Sequence, residues 1–377
     1  MLTTFQFWTI LTISLFTALP SKTIPGSAKS PMKVAVIGLV HTHVHWILGR
    51  EKADDIEIIA IVEPNRQLAL QYAKQHGYSM ELVYNSMEEM IQHIQPEAVL
   101  ALNTIYDHLK VVEFCAPRGI HVMVEKPLAV NLDHANKMAA LARKHQIHLL
   151  TNYETSWYGS NHLAYQMLQE NKIGPITRLS FHTGHPGPIE IGCNPEFLEW
   201  LTDPVLNGGG ALTDFGCYGS NLATWYLNGA VPSEVTCRTR QTKPDKYPKV
   251  EDDATIFLEY ADGVVVTIEA SWNWSHNRKD MEIYGSHGYI ICDDGTNMRI
   301  LEEEKSGPYS DQADPLEKGF HDPFALFAQV INNKHNLSTY DVSSLENNLI
   351  VMQILEAAKL SAETNQTVDF NNFMKSY

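Results

Sequence analysis

A chain of 377 residues is long enough for two domains with separate cores. Its 44% apolar and 19% charged residues are those of an ordinary globular protein, and a formal charge of −16 excludes the basic footprint that a nucleic-acid partner requires. The five cysteines, Cys115, Cys193, Cys217, Cys237 and Cys292, have no CxxC spacing and read as small core residues, which sets aside a disulfide framework and a zinc site.

From Leu2 to Ser21 there is no charge, and Phe5 to Leu19 is mostly apolar. The stretch is short for a membrane span and matches the apolar segment of a secretory signal, with small residues for cleavage at Gly26-Ser27-Ala28. Residues 1–30 are therefore expected to be a leader that exports the chain or, if retained, anchors it to a membrane. A leader that does not function would leave the protein cytoplasmic.

Met32 to Ile37, ending in Gly38, reads as a buried parallel strand, and a second apolar run, Ile56 to Val62, is closed by Glu63. Strands at Ala98 to Leu102, His121 to Val124 and Ile147 to Thr151 alternate with helices at Tyr106 to Ala116 and from Asn131, whose side chain is placed to cap. This alternation predicts an α/β, doubly wound parallel sheet over residues 31–152. Beyond Tyr153 the texture changes. A helix at about Trp157 to Glu170 leads into a β-rich region with a hairpin signal at Ala261-Asp262-Gly263. Helices at about Pro323 to Asn332 and Ser344 to Ala362 finish the chain. Residues 153–377 are expected to form an α+β domain, an open and largely antiparallel sheet backed by helices.

The first strand-to-helix turn is Gly38-Leu39-Val40-His41-Thr42-His43. A dinucleotide fold brings backbone amides to a pyrophosphate at this point, and of the GxGxxG glycines only Gly38 is present. Glu63, at the end of the second strand, suits the ribose hydroxyls of an adenosine. Its charge repels a 2′-phosphate and favours NAD over NADP, with Arg66 close enough to keep NADP as the lesser reading. On a helix, His41, His43 and His45 point in alternating directions, so no metal is expected there, and the histidines are assigned to the cofactor and substrate cleft.

Glu125-Lys126-Pro127 puts a lysine just past a parallel strand, at the edge where such sheets keep their ligands. Gly208-Gly209-Gly210 enters a second segment in which Asp214, Tyr218 and Asn221 share one helix face. A carboxylate and a phenol opposite a fixed lysine suit hydride chemistry at an alcohol, with the tyrosine's pKa lowered by the lysine so that it assists proton removal.

Together the strand–glycine turn, Glu125-Lys126-Pro127 and the GGGALxDxG segment resemble the glucose–fructose oxidoreductase/inositol dehydrogenase/MocA family, from Met32 onward. The resemblance implies a Rossmann domain plus an open-faced sheet domain that forms a homodimer or homotetramer. It implies a catalytic or proton-relay role for Lys126, with Asn103, Thr104, His108 and Glu125 around the nicotinamide ribose. Tyr218 stands where many members carry histidine, as in the glucose–fructose oxidoreductase and dihydrodiol dehydrogenase branch.

The expected activity is NAD(P)-dependent hydride transfer to or from a sugar or polyol. A redox-neutral glycosidase working by oxidation, elimination, hydration and reduction is the alternative, and a non-catalytic sugar-binding relative comes third. Glu154, Trp157, His182, His185 and Asn221 are the substrate-side candidates. Tyr158, Trp272 and Trp274 are further aromatics able to stack on a sugar face.

Overall fold

The computed structural model describes residues 30–51 and 53–376; the expected leader and its cleavage site lie outside them. The first half alternates β1 (Met32–Ile37), α1 (Val44–Leu48), β2 (Ile56–Val62), α2 (Arg66–His76), β3 (Val83–Tyr84), α3 (Met87–His93), β4 (Ala98–Ala101), α4 (His108–Cys115), β5 (His121–Glu125), α5 (Leu132–His145) and β6 (Leu149–Asn152). The strands lie in the order β3-β2-β1-β4-β5-β6, all parallel. The order reverses between β1 and β4, which opens a crevice at their carboxyl ends. Asn131 caps α5 by accepting from the His134 amide, as its position predicts.

The second half runs α6 (Gly159–Gln169), β7 (Ile176–Gly184), α7 (Pro195–Leu201), α8 (Ala211–Tyr226), β8 (Glu234–Arg240), β9 (Asp253–Glu259), β10 (Val265–Ser271) and β11 (Arg278–Gly285). It continues through β12 (Tyr289–Cys292), β13 (Asn297–Leu301), β14 (Tyr309–Gln312), α9 (Pro323–Ile331), α10 (Leu345–Thr364), β15 (Val368–Asp369) and α11 (Phe370–Met374). Its nine strands are ordered β14-β13-β12-β11-β7-β10-β9-β8-β15. The sheet is antiparallel except where β7 and β10 run parallel at its centre.

Alternation along these strands buries one side and leaves the other half-exposed. Over the buried side lies α8, every residue of which is buried, with α10 packed behind it. The last helices also close the molecule onto its first half. Phe324, Phe327 and Val330 of α9 join Met32, Val34 and Val36 in one core, and α10 touches α5 and β6. Burying one such phenylalanine stabilises the fold by roughly 1.5–3 kcal/mol. This packing fixes α8 against the carboxyl edge of the parallel sheet.

Candidate active site

The cofactor side begins at Gly38, whose φ of +81° suits glycine. A Cβ there would lie 2.6 Å from the Cβ of Asn103, so β1 and the end of β4 close on one another only because the side chain is missing. The chain then makes its turn without further glycines, held by side chains. Glu63 accepts from the amides of Leu39 (2.9 Å) and Asn65 (2.8 Å), and Trp200 donates to the Val40 carbonyl at 3.4 Å. Burial pushes the Glu63 carboxyl above its ordinary range, with those two amides acting the other way. Among the described residues, the amides of Val40 and Thr42 donate to no protein group.

A cavity of about 270 Å³ lies here, lined by Gly38, Val40, Glu63, Asn103, Thr104 and Lys110 among others. Lys110 escapes sequence reasoning because a lysine in the first turns of a surface helix looks like a solvated charge. Asn103 Oδ1 and His108 Nε2 are buried without partners. Since His108 Nδ1 lies 3.1 Å from the Leu128 carbonyl, its proton sits there, and Nε2 presents a lone pair. Two buried acceptors beside a turn with free amides fit a dinucleotide, which brings hydroxyl donors and a pyrophosphate.

His41 and His43 precede α1, so the helical-phase argument against a shared ion does not apply to them. Ligand atoms of His41, His43 and Glu125 in fact lie within 4.8 Å of one another. However, His41 Nδ1 accepts the His43 amide at 3.1 Å. The neutral ring therefore carries its proton on Nε2, and its Nδ1 lone pair is already engaged by that amide. His43 Nδ1 pairs with Glu125 Oε2 at 2.8 Å, and its ring stacks on Trp46 at 3.6 Å. Burial opposes charge on Glu125, but His43 and His41 outweigh it and hold the carboxyl down at about 2. Its other oxygen accepts from Asn152 at 2.7 Å, and Trp157 Nε1 steadies Asn152 at 3.0 Å. Trp157 thus supports Glu125 through Asn152.

Lys126 follows β5 directly and meets α8. Three glycines admit the chain to this helix. A Cβ at Gly210 would fall 1.9 Å from the Glu251 carbonyl, while the Glu251 carboxylate accepts from the amides of Gly210 (2.8 Å) and Leu212 (3.0 Å). Glu251, which the sequence leaves between the cleft and solvent, is therefore the anchor of this helix N-terminus. Lys126 Nζ donates to the Asp214 carbonyl at 2.8 Å and makes a short ion pair with Asp214 Oδ1. Asp214 Oδ2 accepts from Trp272 Nε1 at 2.9 Å. Burial opposes both charges, yet each sustains the other: the Lys126 pKa is raised and that of Asp214 lowered. Trp272 is fully buried against Tyr247, so it orients the aspartate and does not stack on a sugar.

Tyr218 lies beside Lys126, whose Nζ is 5.1 Å from its ring centroid. Its hydroxyl has no hydrogen-bond partner among the described residues. The expected lowering of its pKa is reversed: burial pushes the phenol well above its ordinary value, and Glu154, Cys217, Asp214 and Glu125 push the same way. Tyr218 is a neutral donor here.

The substrate-side candidates divide. Glu154 belongs to the cleft: Oε1 accepts from Tyr158 OH at 2.8 Å, and Oε2 makes a short ion pair with Lys279. Burial opposes its charge, but Lys279 and Tyr158 hold the carboxyl below its usual range. Tyr158 is thereby engaged as a donor. His185 packs edge-on to Phe215 at 4.9 Å, and burial pushes its pKa down to about 4, against the influence of Asp214.

His182 does not reach the cleft. In the β7–β11 register Thr183 faces Lys279 and His182 faces Asp280, so the pleat puts His182 on the side away from α8. There it pairs with Asp280 at 2.9 Å, near Trp274, over which Arg278 lies at 4.3 Å. Asn221 is also excluded. Although it shares the helix face of Asp214, it lies about 10 Å further along the axis. There its side chain donates to the Val342 carbonyl (2.8 Å) and to Asn347 (2.9 Å) in the core. Lys279 is the cleft residue that sequence reasoning missed; within Arg278-Lys279-Asp280 only the strand register separates it from its neighbours.

Two family models match this chain: the oxidoreductase family NAD-binding Rossmann fold over residues 32–153, and the GFO/IDH/MocA C-terminal domain over residues 162–291. Among named relatives, 1,5-anhydro-D-fructose reductase of Ensifer adhaerens is 23% identical over 247 residues, 65% of this chain and 71% of that protein. Trans-1,2-dihydrobenzene-1,2-diol dehydrogenase of Xenopus laevis is 28% identical over 210 residues, 55% of this chain and 59% of that protein. The crystal structure of aldose-aldose oxidoreductase from Caulobacter crescentus, complexed with glycerol, shares the fold. Its TM-score is 0.74 at 20% identity, covering 90% of this chain and 99% of that one. An oxidoreductase from Agrobacterium radiobacter in complex with NAD+, L-tartaric acid and magnesium has a TM-score of 0.75 at 20% identity, over 91% and 100%. With the two models covering about two thirds of its length, the chain belongs to the Gfo/Idh/MocA oxidoreductase family.

Proposed function

We propose that the protein transfers a hydride between NAD and a hydroxyl-bearing carbon of a sugar or polyol, with Lys126 and Tyr218 handling the proton and Asp214 fixing Lys126. The observation that carries this reading is the Lys126–Asp214–Tyr218 corner: a buried ammonium tied to a carboxylate, beside a phenol with no protein partner. Relatives named for anhydrofructose, dihydrobenzenediol and myo-inositol support a polyhydroxylated substrate. Bound nicotinamide supplies the hydride acceptor or donor.

Two of the three donors on Lys126 are engaged with Asp214, which leaves one for a substrate oxygen. Together that donor and the neutral Tyr218 hydroxyl stabilise negative charge developing on the oxygen. As hydride leaves carbon, the alcohol proton passes to Lys126 Nζ while Nζ hands one of its own to the Asp214 carboxylate, and in the reducing direction both transfers run in reverse. Glu63 favours NAD, whereas Lys110 in the same cavity supports NADP as the second choice. The half-exposed side of the nine-stranded sheet, away from α8, supports self-association, which light scattering on the eluting protein checks. Export by the leader is checked by the N-terminal sequence of the mature protein.

The test is to denature the purified protein, identify the released nucleotide by mass spectrometry, and follow the absorbance of reduced nicotinamide with free sugars and with aryl glycosides. Bound NAD and reduction by free sugar are expected. Aglycone release without net reduction would favour the redox-neutral glycosidase, for which Glu154 beside Lys279 supplies a further carboxylate. Absence of any nucleotide, with none bound on addition, would overturn the oxidoreductase assignment.

A further inference from the structure

The corner built around Lys126 has a counterpart. Lys279 Nζ lies 5.5 Å from the Tyr218 ring centroid and Lys126 Nζ lies 5.1 Å from it, so one tyrosine is flanked by two lysines, each tied to a carboxylate. The pairs differ in exposure. Lys126 and Asp214 are 7% and 6% exposed, whereas Lys279 and Glu154 are 20% and 33% exposed. The second pair is open to whatever occupies the cleft beside Tyr218. No further acceptor among the described residues takes a hydrogen bond from Lys279, and Glu154, with Tyr158 on one oxygen and Lys279 on the other, retains unused lone pairs.

A donor and an acceptor side by side suit a group that both accepts and donates, which is what a hydroxyl does and a C–H does not. We propose that Lys279 and Glu154 read the hydroxyl on the carbon next to the reacting one, Lys279 donating to its oxygen and Glu154 accepting its proton, so that the enzyme selects vicinal diols. This rests on the hydride-transfer reading, because it places the reacting oxygen on Lys126 and Tyr218. The physical source of selectivity is that a substrate lacking the second hydroxyl covers the pair without pairing it. A site built to hydrogen-bond a hydroxyl then rejects the analogue by up to roughly 10⁴-fold. A strap between the turn after β6 and strand β11, which is the other service such a pair performs, would discriminate nothing.

The experiment measures kcat/KM with the NAD-loaded full chain for matched probes: D-glucose against 2-deoxy- and 3-deoxy-D-glucose, myo-inositol against a deoxyinositol, and trans-cyclohexane-1,2-diol against cyclohexanol. Wild type, E154Q, K279M and K279R are compared through the diol-to-deoxy ratio within each protein, so that a general loss of activity or folded fraction cancels. Wild type is expected to prefer the diol by about a hundredfold or more, E154Q and K279M by about tenfold or less, and K279R to keep most of the preference. An equal ratio in wild type and both E154Q and K279M, or no preference in wild type, overturns this proposal alone. Failure of every probe to reduce bound NAD overturns the hydride-transfer reading and this proposal with it.

Discussion

The two sides of the cleft are satisfied in different ways. On the cofactor side, Asn103 Oδ1 and His108 Nε2 are buried acceptors without a donor. On the substrate side, the charged groups are paired with one another: Lys126 with Asp214 and Lys279 with Glu154. A buried acceptor left unpaired costs about 1–3 kcal/mol, and a ligand that fills it recovers much of that. A self-paired site carries no such penalty when empty. A ligand on the first side therefore gains by satisfying atoms that are already buried, whereas a substrate on the second competes with partners that its charged groups already hold.

The largest break in that comparison is Lys126→Met, which removes the central charge of the substrate side. Turnover is expected to fall by about 10²- to 10⁴-fold while dinucleotide affinity, measured by calorimetric titration, stays within a few-fold. Tyr218→Phe is expected to cost about tenfold to a hundredfold in kcat, with no shift of the pH profile below about pH 9, because the phenol is neutral throughout that range. A limb near neutrality that disappears in this variant would mean that a phenolate was present.

On the other side, Gly38→Ala drives a Cβ to 2.6 Å from Asn103 Cβ at a φ of +81°. It should lower stability by about 1–3 kcal/mol and abolish dinucleotide binding, read together as a lower Tm that NAD no longer raises. The smallest effect concerns His108, whose pKa burial pushes down to about 4 against an unfolded value of about 6.5. As the pH falls, the unfolded chain takes up this proton first, so the stability of the wild type declines from about pH 6.5 towards 4. His108→Gln should flatten that part of the slope in thermal denaturation, and an unchanged slope would assign it to other groups.

The parallel sheet was legible because its strands are buried on both faces and stand out as apolar runs between helices. Lys126, Asp214 and Tyr218 were legible as a cluster, since one lies at a strand end of that sheet and two lie on one helix face. What remained hidden depends on register or on distant charge. His182 and Lys279 look equally available until β7 and β11 are aligned, and a pleat of period two then sends them to opposite sides. Helical phase alone grouped Asn221 with Asp214, whereas distance along the axis and the packing of α10 decide its surroundings. The ionisation of Tyr218 is hidden because the nearby lysine is visible in the motif, but its burial and the Glu154 carboxylate are not.

The proposed function stands on one event, a hydride moving between carbon and nicotinamide at the Lys126–Tyr218 corner. The most direct measurement mixes the NAD-loaded protein with carbon-deuterated D-glucose and carbon-deuterated myo-inositol, quenches within one turnover, and weighs the nucleotide. Reduced nicotinamide carrying one deuterium in the wild type, and none formed on that timescale by Lys126→Met, is the predicted result. Reduced nucleotide without deuterium, or equal labelling in both proteins, would contradict it.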